Sequence, residues 1–370
     1  MKSKITKICF LAGAKIHTRR WAEYFVDNGY EVDLISQEKY KENDFKKVKL
    51  HLLKRIKPQI RIISFPINLL FYVIQTKRII KKINPSILHS HFVANYGIIG
   101  ALTGFHPFIV TVWGSDILLL PKKSRIIKVF VKFALKKADL ITCSGENLRD
   151  AVVSYGINPQ KIKLISHGVD LEKFQPQEKD RNLIKKLSIF SSPTIISIRN
   201  FEPVYNIETL IRSIPLILEK IPDAKFIIAG RGTQEKYLKN LAKSLGILDS
   251  IRFVGWIAHN ELPKYFSLSD IYVSTSLSDG LSISLLEAIS CKIAPVVTDI
   301  PASCKIIKDK KNGFIFPIKD TKSLAEKVIF LLKNKNIRKK FGNINRKMIE
   351  EKEDYYKCMA KMEKIYKNLI

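Results

Sequence analysis

Ile271-Tyr272-Val273-Ser274 is followed by Ser276-Leu277-Ser278-Asp279-Gly280-Leu281-Ser282-Ile283-Ser284-Leu285-Leu286-Glu287-Ala288 and then by Ala294-Pro295-Val296-Val297-Thr298. An apolar run feeds a polar, glycine-bearing loop. The loop feeds a stretch of helical period, and a second apolar run follows. Strand, helix and strand in that order imply parallel strands joined by a crossover helix. Free backbone N–H groups and the helix dipole make the start of such a helix a phosphate site. Gly280 lets the backbone come close to a ligand, and Ser282 and Ser284 are small and can donate from their hydroxyls. Asp279 precedes the helix and Glu287 lies in its first turns, where a carboxylate suits paired hydroxyls.

The same alternation runs outward in both directions. Downstream of Phe174-Gln175-Pro176-Gln177-Glu178 the strand-like runs are Pro193–Arg199, Phe226–Ala229, Ile251–Val254, Ile271–Ser274 and Ala294–Thr298. Helix-like stretches fall between them at Ile207–Leu218, Lys236–Leu245, Glu261–Ser267 and Leu285–Ile289. Upstream, Ile5–Leu11, Glu31–Ile35, Ile87–Ser90, Phe108–Val112, Leu140–Cys143 and Lys163–Ile165 read as strands of an earlier unit. The expected fold is therefore α/β, with two doubly wound, Rossmann-like domains facing a central cleft. Ligands of such sheets bind at the strand carboxyl ends. The domains are expected at 1–172 and 173–345. A charged amphipathic helix over 346–370 is expected to pack back on the N-terminal domain.

With 370 residues, 46% of them hydrophobic, the chain can bury two cores. Its five cysteines are Cys9, Cys143, Cys291, Cys304 and Cys358. They form no C-x-x-C pair, so neither a disulfide framework nor a zinc site is expected, and a reducing, cytoplasmic setting is. The apolar start Ile8–Ala12 is too short for a signal peptide. The run Ile62–Ile74 is too short to cross a bilayer. The formal charge is +30, and it is unevenly distributed. Between Phe45 and Ala138 lie eighteen Lys and Arg, clustered at Lys46–Lys82 and Lys122–Lys137, and a single acid, Asp116. A field of that sign attracts anions: phospholipid surfaces, lipid-linked phosphates or nucleic acid.

Asp279-x7-Glu287, followed by Ala288 and by Pro295-Val296-Val297, resembles the Glu-x7-Glu signature of the family 4 (group 1) retaining glycosyltransferases of the GT-B superfamily. Asn312-Gly313-Phe314 resembles that family's Asn-Gly-hydrophobic turn. The resemblance implies a first acid near the donor sugar and a second on the nucleotide ribose. Asp279 is one methylene shorter than the usual Glu, and Lys292 stands where the family generally has glycine. The family's first strand of this domain ends in Arg with a Lys six positions on, both on the diphosphate. Arg199 matches, and a guanidinium there stabilises a departing diphosphate. Tyr205 replaces the Lys, so part of the positive charge must come from elsewhere, with Arg231 the candidate. Gly255-Trp256 and Glu261-Leu262 resemble the segment that holds the nucleobase, and Gly280, Leu281 and Ser282 would meet sugar and phosphate. Gly230-Arg231-Gly232 lacks the third glycine of a dinucleotide fingerprint.

In the first half, Gly13 stands where relatives carry a glycine loop for the donor phosphates. His17-Thr18-Arg19-Arg20-Trp21 then opens a helix near the expected acceptor site. His91 ends one strand and is a candidate near the reacting sugar. In Thr111-Val112-Trp113-Gly114-Ser115-Asp116 the family's histidine is replaced by Trp113, whereas Asp116 is retained. An acid among cations is expected to be held ionised. His167 in Ser166-His167-Gly168-Val169-Asp170 stands where Asn is usual. The resemblance implies a hexosyltransferase that retains configuration, uses a UDP- or GDP-sugar as co-substrate and needs neither cofactor nor metal. The basic clusters add a saccharide or lipid-linked acceptor, and peripheral contact with an anionic membrane through Arg61–Ile74. The implied setting is polysaccharide or glycolipid synthesis at the inner face of the cell membrane. Two other readings compete: a nucleotide-sugar epimerase on the same fold, and a non-catalytic polyanion binder, for which no specific nucleic-acid motif is present.

Overall fold

The computed structural model describes residues 6–13, 16–39, 47–55 and 64–370. It divides into two compact units, residues 1–167 with 357–370 and residues 168–356. Ala14 and Lys15 after Gly13, Lys46 of the basic cluster, and Arg61 to Ile63 of the expected membrane segment lie outside the described residues.

The first unit is built on β1 (Lys7–Leu11), β2 (Glu31–Ser36), β3 (Lys49–Leu52), β4 (Ile87–His91), β5 (Phe108–Val112), β6 (Leu140–Cys143) and β7 (Ile162–Leu164). They form one parallel sheet in the order β3-β2-β1-β4-β5-β6-β7. A parallel sheet is covered on both faces, which is why these strands are apolar almost throughout. Cys9 and Leu11 face a core shared with the helices Ser64–Ile83, Ile98–Thr103 and Arg125–Lys137. Phe10 points the other way, toward Phe25 of the helix Ile16–Asp27. On that second face Tyr366 stacks on Phe25 with ring centroids 4.8 Å apart, and its hydroxyl bonds His89 Nδ1 at 2.5 Å.

The second unit repeats the plan with β8 (Thr194–Ile198), β9 (Lys225–Ala229), β10 (Ile251–Gly255), β11 (Ile271–Ser274), β12 (Ala294–Thr298) and β13 (Phe314–Phe316). The order is β10-β9-β8-β11-β12-β13, again parallel. Strand order reverses between β1 and β4 and between β8 and β11. The carboxyl ends of those pairs are the places where such sheets hold ligands.

Two strands and one helix break differ from the expectation. β3 is an edge strand with both ends exposed, so its residues carry no sustained apolar run. β13 has three residues, too few to show a period. The expected single terminal helix is two, Lys335–Lys352 and Tyr355–Leu369. Between them the backbone turns to Val169, which donates to Glu353 O at 2.6 Å and accepts from Tyr355 N at 2.9 Å. Gly168, with φ of 64°, permits this: a Cβ there would lie 2.5 Å from the Tyr355 Cα.

Lys292 explains the family's glycine. It closes the helix Ile283–Ser290 in the left-handed region with φ of 63°, where a side chain costs about 1–2 kcal/mol. Lys292→Gly removes that cost, less the greater freedom glycine has in the unfolded chain. The expected net gain is about 0.5–1 kcal/mol, or roughly 1–4 °C in Tm, read by thermal unfolding. An unchanged or lower Tm would show that the lysine is not strained.

Candidate active site

In the second unit the ends of β8 and β11, which pair directly, bring together residues 80 or more positions apart. Arg199 leaves β8 and bonds Asp279 Oδ2 through one terminal nitrogen. Its other terminal nitrogen donates to Ser282 Oγ at 2.9 Å and to Ser284 Oγ at 3.4 Å. The guanidinium lies over the Tyr205 ring, with Arg199 Cζ 4.3 Å from the ring centroid. The Tyr205 backbone carbonyl accepts from Thr275 Oγ1 at 2.9 Å, which ties it to the loop after β11. The tyrosine in the family's lysine position thus brings no charge to the site and braces the cation already there. Desolvation, the largest influence, opposes the Arg199 charge, but Asp279, Tyr272 and Tyr205 together outweigh it and the guanidinium pKa is raised.

Ser282, not Ser284, caps the helix Ile283–Ser290: it accepts from Leu285 N at 3.4 Å. Ser284 instead bonds Tyr272 Oη at 2.8 Å. Gly280 N donates to Asp279 Oδ1 at 2.9 Å. The cation therefore sits at the positive end of a helix, where an anion gains from both. The Arg199 Nε–H is buried and has no partner among the described residues. A buried donor without an acceptor is costly unless a ligand supplies one.

Glu287 is 2% exposed and does not fold back to cap its own helix. It accepts from His259 Nε2 at 2.7 Å. Lys173 Nζ lies 3.1 Å from His259 Nδ1. An ammonium can only donate, so Nδ1 accepts and the proton sits on Nε2, facing the carboxylate. His259 was not singled out from the sequence. The available signal was an ionisable residue in a loop at the carboxyl end of a strand, between Gly255 and Glu261.

Arg231 and Trp256 are exposed, the latter at 65%. Arg231 approaches the β10 end, its Nε 3.8 Å from where a Cβ on Gly255 would lie. Leu281 is half-buried and packs on the apolar core beneath the helix.

In the first unit Gly13 follows β1, and a Cβ there would meet Glu38 Oε1 at 3.2 Å. His91 ends β4, the strand that pairs with β1, and is 1% exposed. Burial, then His89 and His17, hold its pKa well below the usual range, so it is neutral. Its Nδ1 lies 3.3 Å from Thr18 Oγ1, and its Nε2 has no partner among the described residues. Asp116 differs from the expectation. Among the described residues no lysine or arginine pairs with it; it is fully buried, and burial raises its pKa against the pull of backbone amides. Those amides are Val93 N at 2.8 Å, Gly114 N at 2.8 Å and Trp113 N at 3.0 Å. The carboxylate clamps two loops. The departures Trp113 and His167 touch each other with ring centroids 5.4 Å apart, and His17 stacks on His167 at 4.9 Å. The histidine absent at 113 is thus matched by one nearby. Burial first, then His91 and Arg20, lower the His167 pKa to about 3.

Among the described residues no three His, Cys, Asp or Glu side chains group so as to hold a metal ion, and no helix is long and apolar enough to cross a membrane.

Two parallel sheets, with Arg199 and Asp279 at a helix N-terminus and the buried Glu287 eight residues after Asp279, are the arrangement of the GT-B glycosyltransferase class. Residues 179–348 match the family "Glycosyl transferases group 1", and residues 7–145 match "Glycosyl transferase 4-like". The chain belongs to the group 1, or family 4, glycosyltransferases. An uncharacterized glycosyltransferase of Methanocaldococcus jannaschii is 26% identical over 97% of this chain and 95% of its own length. An Escherichia coli UDP-Gal:alpha-D-GlcNAc-diphosphoundecaprenol alpha-1,3-galactosyltransferase is 26% identical over 75% of this chain and 74% of its own. Among solved structures, Anabaena HepE in complex with UDP-glucose superposes with a TM-score of 0.83 at 17% identity, over 98% of this chain and all of that one.

Proposed function

We propose that this glycosyltransferase moves a sugar from a nucleoside diphosphate to a saccharide or lipid-linked acceptor, with retention of configuration and without a metal ion. The observation that carries the donor half is Arg199: a guanidinium fixed at a helix N-terminus with one buried N–H unpartnered. In the proposed reaction the bond from the sugar's anomeric carbon to the phosphate oxygen breaks. Arg199 and the helix N-terminus stabilise the charge that develops there. The acceptor oxygen bonds the anomeric carbon on the same face, and its proton passes to the departing phosphate. Glu287, oriented by His259, takes the ribose hydroxyls; Asp279 with Gly280 to Ser282 meets the sugar and the phosphates. Protein groups act by position and field rather than by covalent chemistry.

The E. coli relative acts on a diphosphoundecaprenol-linked sugar, which supports a lipid-linked acceptor and a role in polysaccharide or glycolipid synthesis. With such an acceptor, the proposed location is the cytoplasm, at the inner face of the cell membrane. The donor half is tested by thermal unfolding with UDP, GDP and ADP. A nucleotide at a hundred times its Kd adds about 2.7 kcal/mol, or roughly 5–11 °C. Glu287→Ala is expected to abolish that shift. A full shift in the variant would remove Glu287 from the site, and no shift with any of the three nucleotides would remove the donor site itself.

A further inference from the structure

The helix Arg125–Lys137 buries Val131, Ala134 and Leu135 completely. An amphipathic helix that has met its core in this way normally shows water only polar groups. This one also exposes Ile126 at 65% and Val129 at 67%, one turn apart on the outer face. Arg125, Lys128 and Lys132, all exposed, flank them. The helix Ser64–Ile83 carries a similar outer residue, Leu70, 63% exposed. Both helices pack against Ile98–Thr103 and share one apolar core, so they lie on the same face of the first unit's sheet. The sole acid between Phe45 and Ala138 is Asp116, which is fully buried. Within that stretch the described surface therefore presents no negative charge.

We infer that this face, centred on Ile126 and Val129, docks on an anionic lipid bilayer. Branched aliphatic tips set among cations suit the boundary between headgroups and acyl chains: the tips enter, the lysines stay at the phosphates. Charge complementarity selects an anionic leaflet. Nucleic acid fits less well, because the exposed apolar residues are aliphatic and offer no ring for a base to stack on. The surface deepens the membrane-side part of the proposed function and rests on it for the identity of the occupant. The sugar-transfer reading is tested separately, by the nucleotide shift.

The experiment is co-sedimentation of the full chain with vesicles of equal phosphatidylglycerol and phosphatidylcholine, against pure phosphatidylcholine, at about 0.15 M salt. Binding to the anionic vesicles alone is expected. The double variant Ile126→Asp, Val129→Asp should weaken it at least about tenfold, as should Lys128→Gln with Lys132→Gln. Phe190→Asp, at a site 67% exposed in the other unit, should leave binding unchanged. All variants should keep the parent Tm and nucleotide shift, since the altered side chains face solvent. Binding unaffected by the aspartates, or weakened by the glutamines alone, would overturn the proposal in favour of plain charge attraction. Tighter retention on duplex DNA than on the vesicles, indifferent to Ile126→Asp, would overturn it in favour of a nucleic-acid surface.

Discussion

Replacing Arg199 with alanine is expected to lower turnover of the nucleotide sugar by about 10²–10³, the loss typical of removing one preorganised donor from a developing oxyanion. Donor hydrolysis by purified protein, with the nucleotide chosen by the thermal-shift panel, measures it. Two structural facts set the size. The guanidinium is held on three sides, by Asp279, Ser282 and the ring of Tyr205, so little reorganisation is needed as charge develops. Tyr205, standing where the family has lysine, adds no charge of its own to that cluster. Arg199→Lys should recover little, because an ammonium cannot reach Asp279 and Ser282 at once. Turnover within threefold of the parent in the alanine variant would mean that the diphosphate leaves elsewhere. Asp279→Asn separates position from charge: it removes the ion pair and leaves the cation.

Gly230→Ala should be the most damaging substitution in the loops around the site. Gly230 follows β9 with φ of 152°, and a Cβ there would fall 2.1 Å from the carbonyl oxygen of Arg199. Gly232 is nearly as tight, its Cβ position 2.5 Å from Phe201 O. The loop after β8 thus crosses directly over the loop after β9. Arg199 N donating to Ala229 O at 3.1 Å and Phe201 N to Arg231 O at 2.9 Å hold the crossing. The alanine methyl meets backbone, which cannot rotate away as a side chain could, and the φ is itself unfavourable. A loss of about 3 kcal/mol or more follows, or roughly 6–12 °C in Tm for a unit of this size. Arg199 shifts with the loop, so turnover should fall as well. A Tm within 2 °C of the parent would show that the two loops can part without cost.

The sheets were legible because buried parallel strands advertise themselves. Phe108–Val112, Leu140–Cys143, Ile271–Ser274 and Ala294–Thr298 lie where apolar runs between polar loops put them. β3 was not, because an edge strand with Lys49 and Leu52 exposed has no such run. Arg199, Asp279 and Ser282 could be named separately, each at the end of a strand or the start of a helix. Their meeting follows from the adjacency of β8 and β11, which a crossover topology supplies and a linear reading does not. His259 escaped notice for a related reason: its link to Glu287 depends on how the loop after β10 folds. Asp116 was misjudged because charge counted along a chain ignores depth. Its eighteen basic neighbours in sequence are not what its carboxylate touches; backbone amides are. Lys292 could be noted from sequence as a departure, but its meaning needed a dihedral angle.

The return of residues 357–370 to the first unit orders events during synthesis. Tyr366, Met359 and Met362 are fully buried in the finished protein, and Tyr366 stacks on Phe25 of the first helix. Yet all of Gly168–Tyr356 leaves the ribosome before them. At about 5–20 residues per second the first unit waits on the order of ten to forty seconds with Phe25 and His89 uncovered. The second unit, uninterrupted in sequence, is complete before the one that began first, and the nascent chain carries an open aromatic face that invites a chaperone until its last helix emerges.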